Sequence, residues 1–163
     1  MFKKILSLLS TLAVVSVLAA CGGDNAPQVS YVTIEGKTIA PADYQGQVML
    51  VNFWATSCTT CVKEMPDIVD TYNKYKDQGF KTIAVAMSYD RPDYVVNFAE
   101  TRKLPFDVAL DVNGKIAKAF HDVKITPTTY VINRKGQIIK TYVGEPDFAA
   151  LHALIEKSLA EKV

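Results

Sequence analysis

The sequence predicts an α/β fold, with a central β-sheet, helices on both faces and a β-hairpin at the N-terminal end. Three observations predict it. From residue 48 onward, short apolar runs alternate with segments of helical periodicity, an order that stacks helices against a central sheet. The first of these runs is apolar at nearly every position, the pattern of a strand covered on both faces. A length of 163 residues, with 49% hydrophobic and 21% charged side chains, suits one globular core.

Each element follows from its own pattern. Tyr31 to Ile39 reads as a short hairpin around Glu35-Gly36-Lys37, leading to a turn at Pro41 and Asp43. Val48 to Trp54 is the apolar strand, broken by Ala55 to Ser57. From Thr59, apolar residues recur every three or four positions (Val62, Met65, Ile68, Val69, Tyr72, Tyr75), and the helix ends near Gly79. Phe80 to Met87 is a second strand, Asp93 to Arg102 a helix, Phe106 to Leu110 a strand and Lys115 to Phe120 a short helix. Thr128 to Asn133 and Ile138 to Val143 form a hairpin around Arg134-Lys135-Gly136, and Phe148 to Lys162 closes the chain as a helix.

The first twenty residues have a different character. A basic start at Lys3 and Lys4 precedes an apolar stretch from Ile5 to Ala20, the pattern of a secretory leader and short for a membrane span. Leu18-Ala19-Ala20-Cys21-Gly22 resembles the lipobox of bacterial lipoproteins, which implies cleavage before Cys21 and a lipid on its sulfur. The expected organisation is a leader over 1–20, a lipidated cysteine and flexible tether over 21–30, and the folded domain over 31–163. The expected location is the periplasmic face of a bacterial membrane. Lys and Arg number 18 against 17 Asp and Glu, so no basic footprint for nucleic acid exists.

Cys58 and Cys61 form Cys-Thr-Thr-Cys where the buried strand ends and the helix begins. Three residues apart in a first helical turn, their side chains share a face within reach of a disulfide. At the helix N-terminus, free N–H groups and the dipole favour a Cys58 thiolate, while Cys61 lies one turn inward and more buried. Cys58 can then attack a foreign disulfide and Cys61 resolve the mixed disulfide. A purely structural disulfide is the alternative, although so small a loop gains little from closure. A metal site lacks ligands, since His121 and His152 lie far from other thiols or histidines in sequence; both read as surface or packing residues. Lys63 and Lys74 read as solvated, with Lys63 near enough to Cys61 in sequence to perturb its thiolate.

The stretch Val51-Asn52-Phe53-Trp54-Ala55-Thr56-Ser57-Cys58-Thr59-Thr60-Cys61-Val62-Lys63-Glu64-Met65-Pro66, followed by Ile125-Thr126-Pro127-Thr128-Thr129-Tyr130-Val131-Ile132-Asn133, resembles the TlpA/ResA/CcmG branch of thioredoxin-like proteins. The likeness spans Tyr31 to Val163 and is nearest to TlpA-type lipoproteins of Gram-negative bacteria. It implies a thioredoxin-like fold with a central mixed sheet and extracytoplasmic thiol–disulfide exchange without a cofactor. Cys58 matches the nucleophilic and Cys61 the resolving cysteine. Pro127 matches a cis-proline whose loop faces the cysteines and pairs with substrate, and Thr126 before it lies within contact of a docked peptide. Glu64 matches an acidic residue near the active site, where a partly buried carboxyl could exchange protons with Cys61; a solvated first-turn acid is the alternative reading. Pro66 matches a helix-kinking proline. Two departures stand out: Asn52 replaces a buried aspartate of cytoplasmic thioredoxins and cannot act as a base, and Ser57 replaces the usual Trp before the first cysteine, opening the docking surface.

The resemblance implies a monomeric dithiol reductant of protein disulfides. Its expected clients include apocytochrome c or an assembly factor, with electrons from a membrane thiol donor of the DsbD or CcdA type. Thr59 and Thr60 supply neither charge nor rigidity that would make the pair strongly oxidising. Two other classes compete. A thiol peroxidase shares the sheet, but its Thr-x-x-Cys pattern is absent here, because Ala55 stands three before Cys58. A binding module without turnover would leave the disulfide structural.

Overall fold

A computed structural model describes residues 24–162, so the expected leader and Cys21 lie outside the described residues. Thirteen elements follow in order. They are β1 (Tyr31–Val32), β2 (Thr38–Ile39), a 3-10 turn (Pro41–Tyr44), β3 (Val48–Trp54), α1 (Thr59–Tyr75), a second 3-10 turn (Lys76–Gln78), β4 (Phe80–Ala86), α2 (Pro92–Arg102), β5 (Asp107–Leu110), α3 (Lys115–Ala119), β6 (Thr128–Ile132), β7 (Ile138–Val143) and α4 (Phe148–Ala160). Boundaries move by a residue or two from the sequence expectation. The last helix stops at Ala160 because Glu161 turns extended, and Gly79 ends the α1 region at φ 87°, a left-handed conformation that glycine adopts without a Cβ penalty.

The main sheet has the order β5-β4-β3-β6-β7. β3 runs parallel to β4 and β4 to β5, while β6 is antiparallel to both β3 and β7, so the sheet is mixed. Side-chain alternation sorts β3 between two cores. Val48, Leu50 and Trp54 pack with residues of α1, α2 and α4, whereas Met49, Val51 and Phe53 pack with residues of α3 and of the N-terminal segment. Asn52 has the parity of the first set, so it faces α1 from the floor of the sheet. Every residue of β3 is buried, as the apolar run requires.

The N-terminal segment serves the sheet's margins, where backbone groups otherwise stay unpaired. Thr33 bridges Ala109 and Ile34 N–H donates to Val108 O at 2.9 Å, so the β1–β2 hairpin lies along β5. The expectation of a flexible tether through residue 30 is corrected here. Ala26 is buried, its N–H donates to Gly136 O at 2.8 Å, and Ile138 N–H donates to Asp24 O at 2.8 Å. Residues 24–26 are docked because the β6–β7 hairpin offers backbone groups that need partners. No described helix is long and apolar enough to cross a membrane.

Candidate active site

β3 delivers the redox motif to its C-terminal end. Cys58 caps α1: its backbone is extended, its carbonyl accepts from Val62 N–H at 3.0 Å, and its sulfur accepts from Cys61 N–H at 3.2 Å. Cys58 and Cys61 are disulfide-bonded, with Cα atoms 5.2 Å apart. Cys58 is half-buried and Cys61 fully buried. A helix N-terminal N–H aimed at the outer sulfur stabilises a thiolate there after reduction, and burial of the inner sulfur favours its thiol form.

Strand register brings the other elements to the same end. Phe53 pairs with Thr128 and Thr128 with Val143, which places Pro127 and Gly144 beside the end of β3. The Thr126–Pro127 peptide bond is cis, and Gly144 N–H donates to Pro127 O at 2.8 Å. Pro127 is buried, so its side chain shapes the loop, and half-buried Thr126 and exposed Ile125 present its outer surface. From the loop after β4, the Tyr89 hydroxyl lies 3.2 Å from Thr126 Oγ1. Asp90 holds the turn before the cysteines: its carboxylate accepts from Thr56 N–H, from the Thr56 hydroxyl at 2.7 Å and from Arg91 N–H at 3.0 Å. Ser57 and the two threonines between the cysteines are exposed.

Glu64 lies in the second turn of α1, on its inward face, so it is not the solvated first-turn acid of the alternative reading. It is fully buried, and Asn52 Nδ2 donates to its Oε1 at 3.0 Å and to Thr129 Oγ1 at 2.9 Å. Burial pushes the Glu64 carboxyl up to about 7; the Asn52 hydrogen bond works against this shift, and the charges of Glu145 and Asp67 reinforce it. Oε2 has no hydrogen-bond partner among the described residues, so it is the oxygen on which a proton is best kept. A carboxyl poised near neutrality can both give and take a proton. Asn52 is thus no base; its amide holds the Glu64 carboxyl in place. Its signal in the sequence was a lone amide within an apolar strand.

Lys63 and Lys74 are solvated as expected, but each has a partner. Lys63 Nζ lies 2.9 Å from Glu145 Oε2 across the motif's rim, and Lys74 Nζ lies 3.1 Å from Glu156 Oε1. His152 packs edge-on to Tyr75 and its Nε2 lies 2.8 Å from Thr71 Oγ1, while His121 is exposed. Trp54 is fully buried and stacks at a tilt on Phe98, with centroids 5.1 Å apart. Among the described residues, no three His, Cys, Asp or Glu side chains are grouped to hold a metal ion. The roles of Asp90, Tyr89, Thr129 and Glu145 escaped the sequence reading, because they depend on strands and loops that meet only in the fold.

Comparison with known proteins agrees with this geometry. The family model described as Redoxin matches residues 22–155. The thiol-disulfide oxidoreductase ResA of Bacillus thuringiensis subsp. konkukian (strain 97-27) is 35% identical over 136 residues, covering 83% of this chain and 77% of its own. ResA of Bacillus subtilis (strain 168) is 32% identical over 130 residues, covering 80% and 72% respectively. The solution structure of a candidate thioredoxin from Neisseria meningitidis superposes with a TM-score of 0.78 at 42% identity, covering 83% of this chain and 90% of its own. A thiol:disulfide interchange protein DsbE candidate from Chlorobium tepidum gives a TM-score of 0.77 at 29% identity, covering 85% and 98%. With its paired cysteines at a helix N-terminus on a thioredoxin fold, the chain belongs to the Redoxin family and is a thiol–disulfide oxidoreductase.

Proposed function

We propose that the protein is a lipid-anchored, extracytoplasmic dithiol reductant of protein disulfides. The observation that carries this reading is the asymmetry of the two sulfurs: Cys58 is half-exposed and accepts a helix N-terminal hydrogen bond, while Cys61 is buried. In the reduced protein, the Cys58 thiolate attacks one sulfur of a client disulfide and forms a mixed disulfide, releasing the other client sulfur as a thiolate. Cys61 then loses its proton and attacks Cys58, closing the Cys58–Cys61 disulfide and releasing the second client sulfur. The client gains two electrons and the protein loses them. Glu64 takes up the Cys61 proton, with Asn52 orienting the carboxyl. Ser57, Thr126 and the loop shaped by Pro127 receive the client chain.

The leader, Cys21 and the resemblance support anchoring at the periplasmic face, clients such as apocytochrome c or an assembly factor, and a membrane thiol donor of the DsbD or CcdA type. The uncharged Thr59-Thr60 pair supports a reducing potential. The decisive measurement equilibrates the protein in glutathione or dithiothreitol buffers and follows Trp54 fluorescence. The expected potential lies near or below the thioredoxin value of ~ −270 mV, and a value well above ~ −180 mV overturns the reductant reading. In cells, Cys61→Ser is expected to accumulate client mixed disulfides and Cys58→Ser to form none. Cys21→Ser is expected to release the protein from membranes, which a fractionation experiment reads directly.

A further inference from the structure

Beside the redox motif, a groove of about 570 Å³ opens between the turn carrying Ser57 and the outer face of α2. Its floor is Phe98, whose other side rests on buried Trp54, and its walls include Tyr94 and Asn97. Tyr94 is 54% exposed, and Arg91 stacks on its ring at 4.5 Å. At the far end Arg102 extends over Phe98 at 5.6 Å. Arg102 is exposed and forms no ion pair among the described residues, whereas Arg91 at the same helix's start is paired with Asp93 at 2.7 Å. Phe98 and Arg102 also border a second depression of about 210 Å³ formed with Val62, Met65, Leu104 and Asp70, whose carboxylate forms no ion pair with Arg102. The trench therefore begins one residue from the attacking sulfur, runs over aromatic surface and ends at an unpaired cation.

We propose that this groove is the client-specificity subsite of the redox centre, seating a large apolar side chain of an extended client segment while a carboxylate of that segment meets Arg102. The inference deepens the reductant reading and rests on it. A disulfide attacked by Cys58 brings its flanking residues over Ser57, so the groove is continuous with the surface that any client must cover. Ser57 has no bulk to close the mouth. Apolar burial in such a groove separates client side chains by tenfold or more, and an exposed cation at its end discriminates by charge sign more than by raw affinity.

The test uses the reduced full-length protein and synthetic peptides, each carrying one cysteine as a mixed disulfide with glutathione. Phe or Ala is placed two to four residues from the cysteine on either side, followed by Glu or Lys. The expected result is about a tenfold higher kcat/KM for Phe over Ala and a further preference for Glu over Lys. Ser57→Trp, which fills the mouth, is expected to erase the Phe preference. Arg102→Glu is expected to reverse the charge preference and retain the Phe preference, a reversal that a merely structural role would not produce. Equal rates on all peptides, or preferences unchanged in both variants, overturn the proposal. Sedimentation equilibrium covers the other occupant: a dimer that Ser57→Trp dissociates assigns the groove to a second copy and overturns it as well. Hydroxyethyl disulfide separates the two layers of inference. If the wild type reduces it but none of the peptides, the groove proposal fails alone; if the wild type reduces neither, the reductant reading fails and the groove falls with it.

Discussion

Burial holds the Glu64 carboxyl up at about 7, against an ordinary value of 4.5, so between those values the folded protein keeps a proton that the unfolded chain has lost. Stability from this group is complete below 4.5 and declines as pH rises through about 7, by at most roughly 3 kcal/mol. Glu64→Gln keeps an acceptor for Asn52 and cannot ionise. Thermal melts of the oxidised variant are expected to fall less between pH 5 and 8 than those of the parent. In stopped-flow reduction assays the same variant is expected to slow Cys61 resolution by about 10²-fold near pH 7 and to lose the rate step near that pH. Asn52→Leu gives the converse sign. The Asn52 hydrogen bond lowers the Glu64 carboxyl, so removing it is expected to move that step to higher pH. A profile that stays in place would show that Glu64 does not set it.

The turn between β3 and α1 has little structure of its own, and its order comes from another element. Asp90, just before α2, accepts from both the backbone N–H and the hydroxyl of Thr56 and so ties the turn ahead of Cys58 to the end of β4. Asp90→Ala leaves two part-buried donors unsatisfied and is expected to cost about 1–3 kcal/mol in urea unfolding. It should also speed amide exchange at Thr56 and slow attack by Cys58, because the sulfur's approach is less fixed. The sequence placed the start of α2 at Asp93, one residue inside the observed start at Pro92. The role of Asp90 was not legible, since an aspartate before a helix reads as a local cap until the fold shows that it reaches back 34 residues in the chain.

At the scale of the whole molecule, the two ends of the sheet divide the labour. Opposite the cysteines, Arg134 donates to Gly46 O at 3.0 Å, Gln78 O at 3.1 Å and Leu159 O at 3.3 Å, fastening the entries to β3 and β4 and the end of α4. Arg134→Ala is expected to lower unfolding stability by about 2–4 kcal/mol while leaving the disulfide-reduction rate of the folded protein unchanged, because no part of this staple touches the redox end. By itself the sequence determined the α/β order, the hairpins, the redox role of Cys58 and Cys61 and the family, for these depend on periodicity and on residues adjacent in the chain. It could not determine that Glu64 is buried rather than solvated, that Asn52 orients it, that residues 24–26 dock on the β6–β7 hairpin, or that a groove ends at Arg102. Those features arise between segments far apart in sequence, where strand register and helix rotation decide which side chains meet. The tertiary structure supplied both.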